Sequence, residues 1–136
     1  MPLNENYEFS VLIVDDEPIN RQIITRFFKM KIPEAITYQA GNGKEAFDVL
    51  NEIKSNSPQK KIIILTDLNM PVMNGIEFIR KYRQHPMSKG VPIILLTTES
   101  DEALKAEARA AGATGWIVKP FKQDQLVAVI KKVTGA

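Results

Sequence analysis

Residues 62–67 read Ile-Ile-Ile-Leu-Thr-Asp. Four branched aliphatic residues in succession are too few for a helix and leave no polar face. They therefore read as a strand buried on both sides, the mark of a parallel sheet. Working outward, Val11–Val14 (VLIV), Ile93–Leu96 (IILL) and Trp116–Val118 (WIV) have the same character. Ile36–Ala40 (ITYQA) instead alternates apolar with polar residues, which suits an edge strand.

Between these runs the apolar residues fall at helical spacing: Ile19, Ile23, Ile24 and Phe27; Phe47, Leu50 and Ile53; Ile76, Ile79 and Tyr82; Leu126, Ile130 and Val133. Each stripe is expected to face the sheet. The stretch Ser100–Ala111 is helical by composition, but its apolar face is mostly alanine, so it buries little area and should be the least firmly held helix. The pattern is a β-α unit repeated five times, and right-handed crossovers then place helices on both faces of a doubly wound parallel α/β sheet. Two strand orders fit, that of a dinucleotide-binding half and the flavodoxin-like 2-1-3-4-5; the alternating second strand favours the latter, which puts it at an edge.

The 136 residues make one domain, with residues 1–8 as a short N-terminal extension and 9–136 as the folded unit. With 44% apolar and 25% charged residues the chain is an ordinary globular protein, and 18 basic against 16 acidic side chains give only +2, far from a nucleic-acid footprint. The absence of cysteine removes disulfides and thiolate chemistry, and His85 alone cannot build a multi-histidine metal site. The opening MPLNENYEFS has no signal-peptide pattern, and no apolar run approaches the roughly 18 residues of a membrane span. A cytoplasmic monomer without nucleic-acid or membrane partners is expected.

Polar residues that a buried strand would not select stand at the carboxyl ends of these runs: Asp15 and Asp16, Thr66 and Asp67, Thr97 and Thr98, and Lys119. In an open parallel sheet those ends share one rim, where ligands bind. Three carboxylates crowded to about 5 Å repel by roughly 3 kcal/mol per pair at an effective dielectric of about 20, so they protonate, spread apart or take up a cation. With oxygen ligands only, Mg²⁺ is the natural cation; a lysine opposite it leaves room for a small dianion, which points to phosphoryl chemistry.

The strings VLIVDDEP, LTDLNMPVMNG, PIILLTTES and GATGWIVKPF resemble the receiver domain of two-component response regulators, over about Val11 to Val133. The resemblance implies the 2-1-3-4-5 sheet. It also implies that Asp67 accepts a phosphoryl group from a histidine kinase or phosphotransfer protein. Asp16 and Asp67 would bind Mg²⁺ through their carboxylates and Asn69 through its backbone carbonyl, with Asp15 acting nearby. Lys119, ahead of a cis bond to Pro120, would pair with the phosphoryl oxygens. Thr97 would move to bond the phosphoryl group, and Trp116 holds the place of the aromatic switch that follows it, usually Tyr or Phe. Asn69 and Glu99 match positions that tune hydrolysis. The chain would then be a signalling switch rather than a turnover enzyme, reporting to a downstream protein through the fourth and fifth β-α units.

VDDEPINR and DLNMPVMNG look most like receivers of hybrid kinases, whereas TTESD and AAGATGWIVKPF look most like chemotaxis regulators acting on the flagellar motor switch. A chemotaxis regulator is the first reading. A phosphorelay receiver related to or excised from a hybrid histidine kinase, or a recombination of two receivers, is the alternative. Blander roles stand beside these. Asp15 and Asp16 suit capping of the helix that Pro18 begins, and Ser100 or Asp101 suits capping of the alanine-rich one. Lys119 could be a solvated lysine ahead of a turn, Trp116 a filler at a sheet edge, and Glu99 a favourable charge at a helix start. His85 is expected to be exposed. Gly41, Gly43 and Ala46 fit a lone G-x-G-x-x-A, a weak nucleotide fingerprint that would need a central strand before it. A dehalogenase-type phosphotransferase would carry D-x-D early and its acidic pair late; here the order is reversed and the motif reads Asp67-Leu68-Asn69.

Overall fold

The computed structural model describes residues 9–56 and 61–134. The expected extension at residues 1–8 lies outside the described residues. Five strands, β1 (Phe9–Val14), β2 (Ala35–Ala40), β3 (Lys61–Asp67), β4 (Ile93–Thr97) and β5 (Gly115–Val118), form one sheet of order β2-β1-β3-β4-β5. Every pairing is parallel. β2 is the edge strand that its alternation calls for, and β1, buried at all six positions, sits between β2 and β3.

The helices are α1 (Pro18–Lys31), α2 (Gly43–Asn56), α3 (Gly75–Tyr82), α4 (Glu102–Ala111) and α5 (Gln123–Thr134). Alternate residues of each buried strand point to opposite faces, so the sheet builds two cores. Val11, Ile13, Ile63, Leu65, Ile94, Leu96 and Ile117 meet Ile24, Phe27 and Phe28 of α1 and Leu126 and Ile130 of α5. Leu12, Val14, Ile62, Ile64, Ile93 and Leu95 meet α2, α3 and α4 on the other face.

One stripe departs from expectation. Ile24 and Phe27 are buried, joined by Phe28, but Ile19 and Ile23 are 68% and 61% exposed, and so is Met30 at 72%. At 3.6 residues per turn these three lie together roughly 110° around α1 from the buried stripe. The face of α1 that meets the sheet is set by the two phenylalanines, whose rings pack edge to face at 5.3 Å.

The sparse burial of α4 is as its composition suggests: only Ala108 and Ala111 are buried. Its fastening comes from polar groups. Asp101 caps it by accepting the N–H groups of Ala103 and Leu104 at 2.7 and 3.2 Å. Gly112 ends it in the left-handed region at φ 114°, where a side chain would also strike Arg83. The Arg83 guanidinium donates to the carbonyls of Gly112 (3.0 Å), Ser88 (2.6 Å) and Val91 (2.7 Å). It thus ties the end of α3 and the approach to β4 to the C-terminus of α4. Burial pushes the guanidinium pKa down, and the three carbonyls answer the charge in place of water.

Arg83→Met keeps the aliphatic stem and leaves three carbonyls without this donor. A loss of about 2–4 kcal/mol is expected in urea unfolding, with hydrogen exchange quickening first at the C-terminal turn of α4. An unchanged midpoint would mean that the staple is replaced by water at no cost.

Candidate functional site

The rim at the carboxyl ends of β1, β3, β4 and β5 collects the polar residues. β1 ends at Val14, and the Asp15 N–H continues its ladder by donating to the Ala40 carbonyl at 3.0 Å. The Asp15 Oδ1 accepts the Glu17 N–H at 2.9 Å, and the Asp15 carbonyl accepts from Arg21 Nη1 at 2.6 Å. These contacts turn the chain into α1, whose N-cap residue is Glu17 without a side-chain cap bond. Asp15 and Asp16 therefore do not cap α1 in the usual sense; Asp15 is buried and Asp16 half-buried at the rim.

Asp67, the last residue of β3, is half-buried, and its Oδ1 accepts the Leu68 N–H at 2.9 Å. Gly75 is required close by: its N–H donates to the Leu68 carbonyl at 2.8 Å, and a β-carbon there would collide with the Asp67 carbonyl oxygen. Carboxylate oxygens of Asp15, Asp16 and Asp67 all lie within 4.8 Å of one another. Lys119, just past β5, holds its Nζ 3.8 Å from Asp15 Oδ2 and 3.6 Å from Asp67 Oδ1. Both distances exceed those of a charge-assisted hydrogen bond, so the ammonium stands off from both acids. The Lys119 N–H donates to the Thr97 carbonyl at 2.7 Å, and the bond to Pro120 is cis.

Leu96 pairs with Asp67 across the sheet, which puts Thr97 one residue beyond it on the neighbouring strand. Thr97 is buried, and its Oγ1 accepts the Glu99 N–H at 3.2 Å. Trp116, half-buried in β5, donates its indole N–H to the Glu99 carbonyl at 3.0 Å. The Asn69 amide lies 3.4 Å from the Glu99 carboxylate. Asp15, Asp16, Asp67, Asn69, Thr97, Glu99 and Lys119 thus fall on this rim or on the loops beside it, and Trp116 reaches it through Glu99. His85 is exposed, away from the acids, with its ring 5.8 Å from that of Phe47. Gly41 and Gly43 follow the edge strand β2 rather than a central one, and a β-carbon on Gly43 would sit 2.6 Å from the flexible Met73 side chain of the β3–α3 connection.

The model of the response regulator receiver domain matches residues 11–131. The chain belongs to this family. This receiver is 35% identical over 125 residues to the chemotaxis protein CheY1 of Helicobacter pylori, covering 92% of this chain and 96% of the relative. The chemotaxis protein CheY4 of Vibrio cholerae has a similar structure, at 35% identity and TM-score 0.79, over 93% of this receiver and 98% of that chain. The receiver domain of the sensor histidine kinase PA1611 from Pseudomonas aeruginosa, described with a magnesium ion coordinated in its active site cleft, shares the fold at 22% identity and TM-score 0.73, over 95% of this chain and 99% of that one.

The receiver's acid cluster is electrostatically strained. Burial pushes the Asp67 pKa up most; Asp15 and Asp16 push it further, while Lys119 and the Leu68 N–H pull it down without cancelling the rise. Oxygen donors of this charge and spacing suit a hard divalent cation, which needs only one or two carboxylates and keeps several waters. Among the described residues this is the cluster of three such donors.

A carboxyl whose folded pKa is raised costs stability once it ionises. The cost begins as pH rises past the ordinary value of 3.8 and is complete above the higher folded value. In chelator, Asp67→Asn should therefore be more stable than the parent at pH 7, with the difference vanishing below about pH 4. Thermal unfolding across that range checks it, and an asparagine variant less stable at pH 7 would show that Lys119 outweighs burial.

Proposed function

We propose that this receiver takes a phosphoryl group from the phosphohistidine of a histidine kinase or phosphotransfer protein onto Asp67, with Mg²⁺ bound at Asp15, Asp16, Asp67 and the Asn69 carbonyl, and then changes its binding to a downstream protein. The observation that carries this reading is the convergence of three carboxylates with one stand-off ammonium at the rim. Similarity to chemotaxis proteins over nearly the whole of both chains supports a chemotaxis regulator, with the flagellar motor switch as its target.

In the transfer, a carboxylate oxygen of Asp67 forms a bond to phosphorus as the donor's N–P bond breaks. The electron pair returns to the imidazole nitrogen, which takes up a proton. The cation, when bound, supplies Lewis-acid neutralisation of the phosphoryl oxygens and of the crowded acids. Lys119 carries its ammonium toward the developing charge, and Thr97 offers a hydroxyl one strand away. Water attacking the phosphorus of the acyl phosphate restores the carboxylate and releases inorganic phosphate. A new dianion at Asp67 favours whichever arrangement of Thr97 and Lys119 satisfies its oxygens, and that differential is what biases the switch. The output runs through α4, β5 and α5, because α4 buries the least and shifts at the least packing cost.

Incubation with acetyl phosphate tests the reading by intact mass. Gain of one phosphoryl group is expected only with both Mg²⁺ and Asp67 present, and its persistence in Asp67→Asn would overturn the assignment. Lys119→Ala should impair activation, followed by Trp116 fluorescence, more than Mg²⁺ affinity. Equal loss of both would make Lys119 an organiser of the metal site.

A further inference from the structure

We infer that Arg21 is a positioning residue for the divalent-cation site, and that the edge strand β2 holds the Asp15–Asp16 peptide in place through it. This rests on the reading of Asp15, Asp16 and Asp67 as the Mg²⁺ site.

Asp15 stands just past the point where the pairing of β1 with β2 ends, at Val14 and Ala40. Both of its backbone polar groups are nevertheless held. Its N–H donates to the Ala40 carbonyl at 3.0 Å, and its carbonyl accepts from Arg21 Nη1 at 2.6 Å. The same guanidinium donates through Nε to Gln39 Oε1 at 3.1 Å, and the Gln39 amide in turn donates to Thr25 Oγ1 at 3.3 Å. Gln39 and Ala40 are the last two residues of β2. One strand thus grips Asp15 twice, directly at its N–H and by way of an arginine at its carbonyl.

The Asp15 carbonyl belongs to the peptide that leads into Asp16, and because a peptide is planar, fixing that oxygen fixes the plane. Turning the plane would swing the Asp16 carboxylate away from those of Asp15 and Asp67, with which it lies within 4.8 Å. Asp15 and Asp67 have side-chain locks of their own in the Glu17 and Leu68 N–H groups. Arg21 supplies the corresponding lock for Asp16 from the backbone side. Its two bonds go to a carbonyl and a side-chain amide rather than to a carboxylate. With Glu45 it borders Gly41, where a β-carbon would meet Arg21 Nη1 at 3.6 Å and Glu45 Oε2 at 3.5 Å. The guanidinium therefore acts on the acids by geometry, through a planar fork that a lysine does not reproduce.

The test is a Mg²⁺ titration of the full chain, followed by amide chemical shifts, in the parent, Arg21→Met, Arg21→Lys, Gln39→Ala and the double variant joining the last two. Thermal unfolding of each in chelator runs beside it. Arg21→Met is expected to bind Mg²⁺ about tenfold more weakly, the scale on which groups behind a metal ligand act. Arg21→Lys should recover little of that loss, since one ammonium does not span the Asp15 carbonyl and Gln39 together. Gln39→Ala should show a smaller loss in the same direction, and the double variant should match Arg21→Lys, because Gln39 acts only through the guanidinium. A lower midpoint in chelator with Mg²⁺ affinity unchanged would overturn the inference, since Arg21 would then be a structural tie alone. Full recovery by Arg21→Lys would overturn it as well, by making the charge sufficient. Should Arg21→Met not fold, Arg21→Lys and Gln39→Ala decide by the same measure. Absence of saturable Mg²⁺ binding in the parent would remove the reading of the metal site, and the inference with it.

Discussion

Repulsion among Asp15, Asp16 and Asp67 is the constraint around which the molecule is organised. Carboxylates this close cost about 3 kcal/mol per pair at an effective dielectric of about 20, and left to themselves they would rotate into solvent. The fold prevents that. Asp15 is locked by the Glu17 amide and Asp67 by the Leu68 amide, each at the end of a strand buried on both faces. The central strands β1 and β3 are in register from Phe9 and Lys61 to Val14 and Thr66, so two apolar runs deliver the acids to one rim. The hydrophobic core is thus what holds the charges together.

The same sheet grades its firmness outward. β1, β3 and β4 are packed on both sides by large aliphatic side chains, whereas β5 is only four residues long and fully buried only at Ile117. α4 beside it rests on alanines. The polar rim is therefore rigid where the acids stand and compliant toward Trp116 and α4. In the proposed switch, a site that holds charge and an output that moves would be served by opposite ends of one gradient.

Much of this was legible in the sequence, because parallel strands buried on both faces write themselves as short aliphatic runs, and the rim residues follow each run directly. Strand identity and the gathering of the acids at one rim come from that local pattern; the strand order is only favoured by the alternation of β2 and comes from the family resemblance. The face of α1 did not: Ile19, Ile23, Ile24 and Phe27 share a periodic stripe on paper, and only the packing of Phe27 against Phe28 decides which part of it turns inward. Arg83 carries no signal in the sequence, since nothing in its neighbours announces that three carbonyls will gather around it. The indole bond to Glu99 joins residues seventeen apart and needs the β4–β5 register to exist. Periodicity reports what an element buries, and contacts made by long polar side chains to distant backbone fall outside it.

The fastening of α4 bears on how such a protein diversifies. A helix held by apolar area can change its side chains only at the expense of the core, so specificity and stability vary together. Here the helix is secured by Asp101 at one end and by Arg83 and Gly112 at the other, with two alanines in between. Its outward positions, among them Glu102, Glu107 and Arg109, are exposed and carry no part of that attachment. They are open to substitution at little thermodynamic cost, so the outward face of this helix is free to diverge among duplicated copies while the scaffold stays the same.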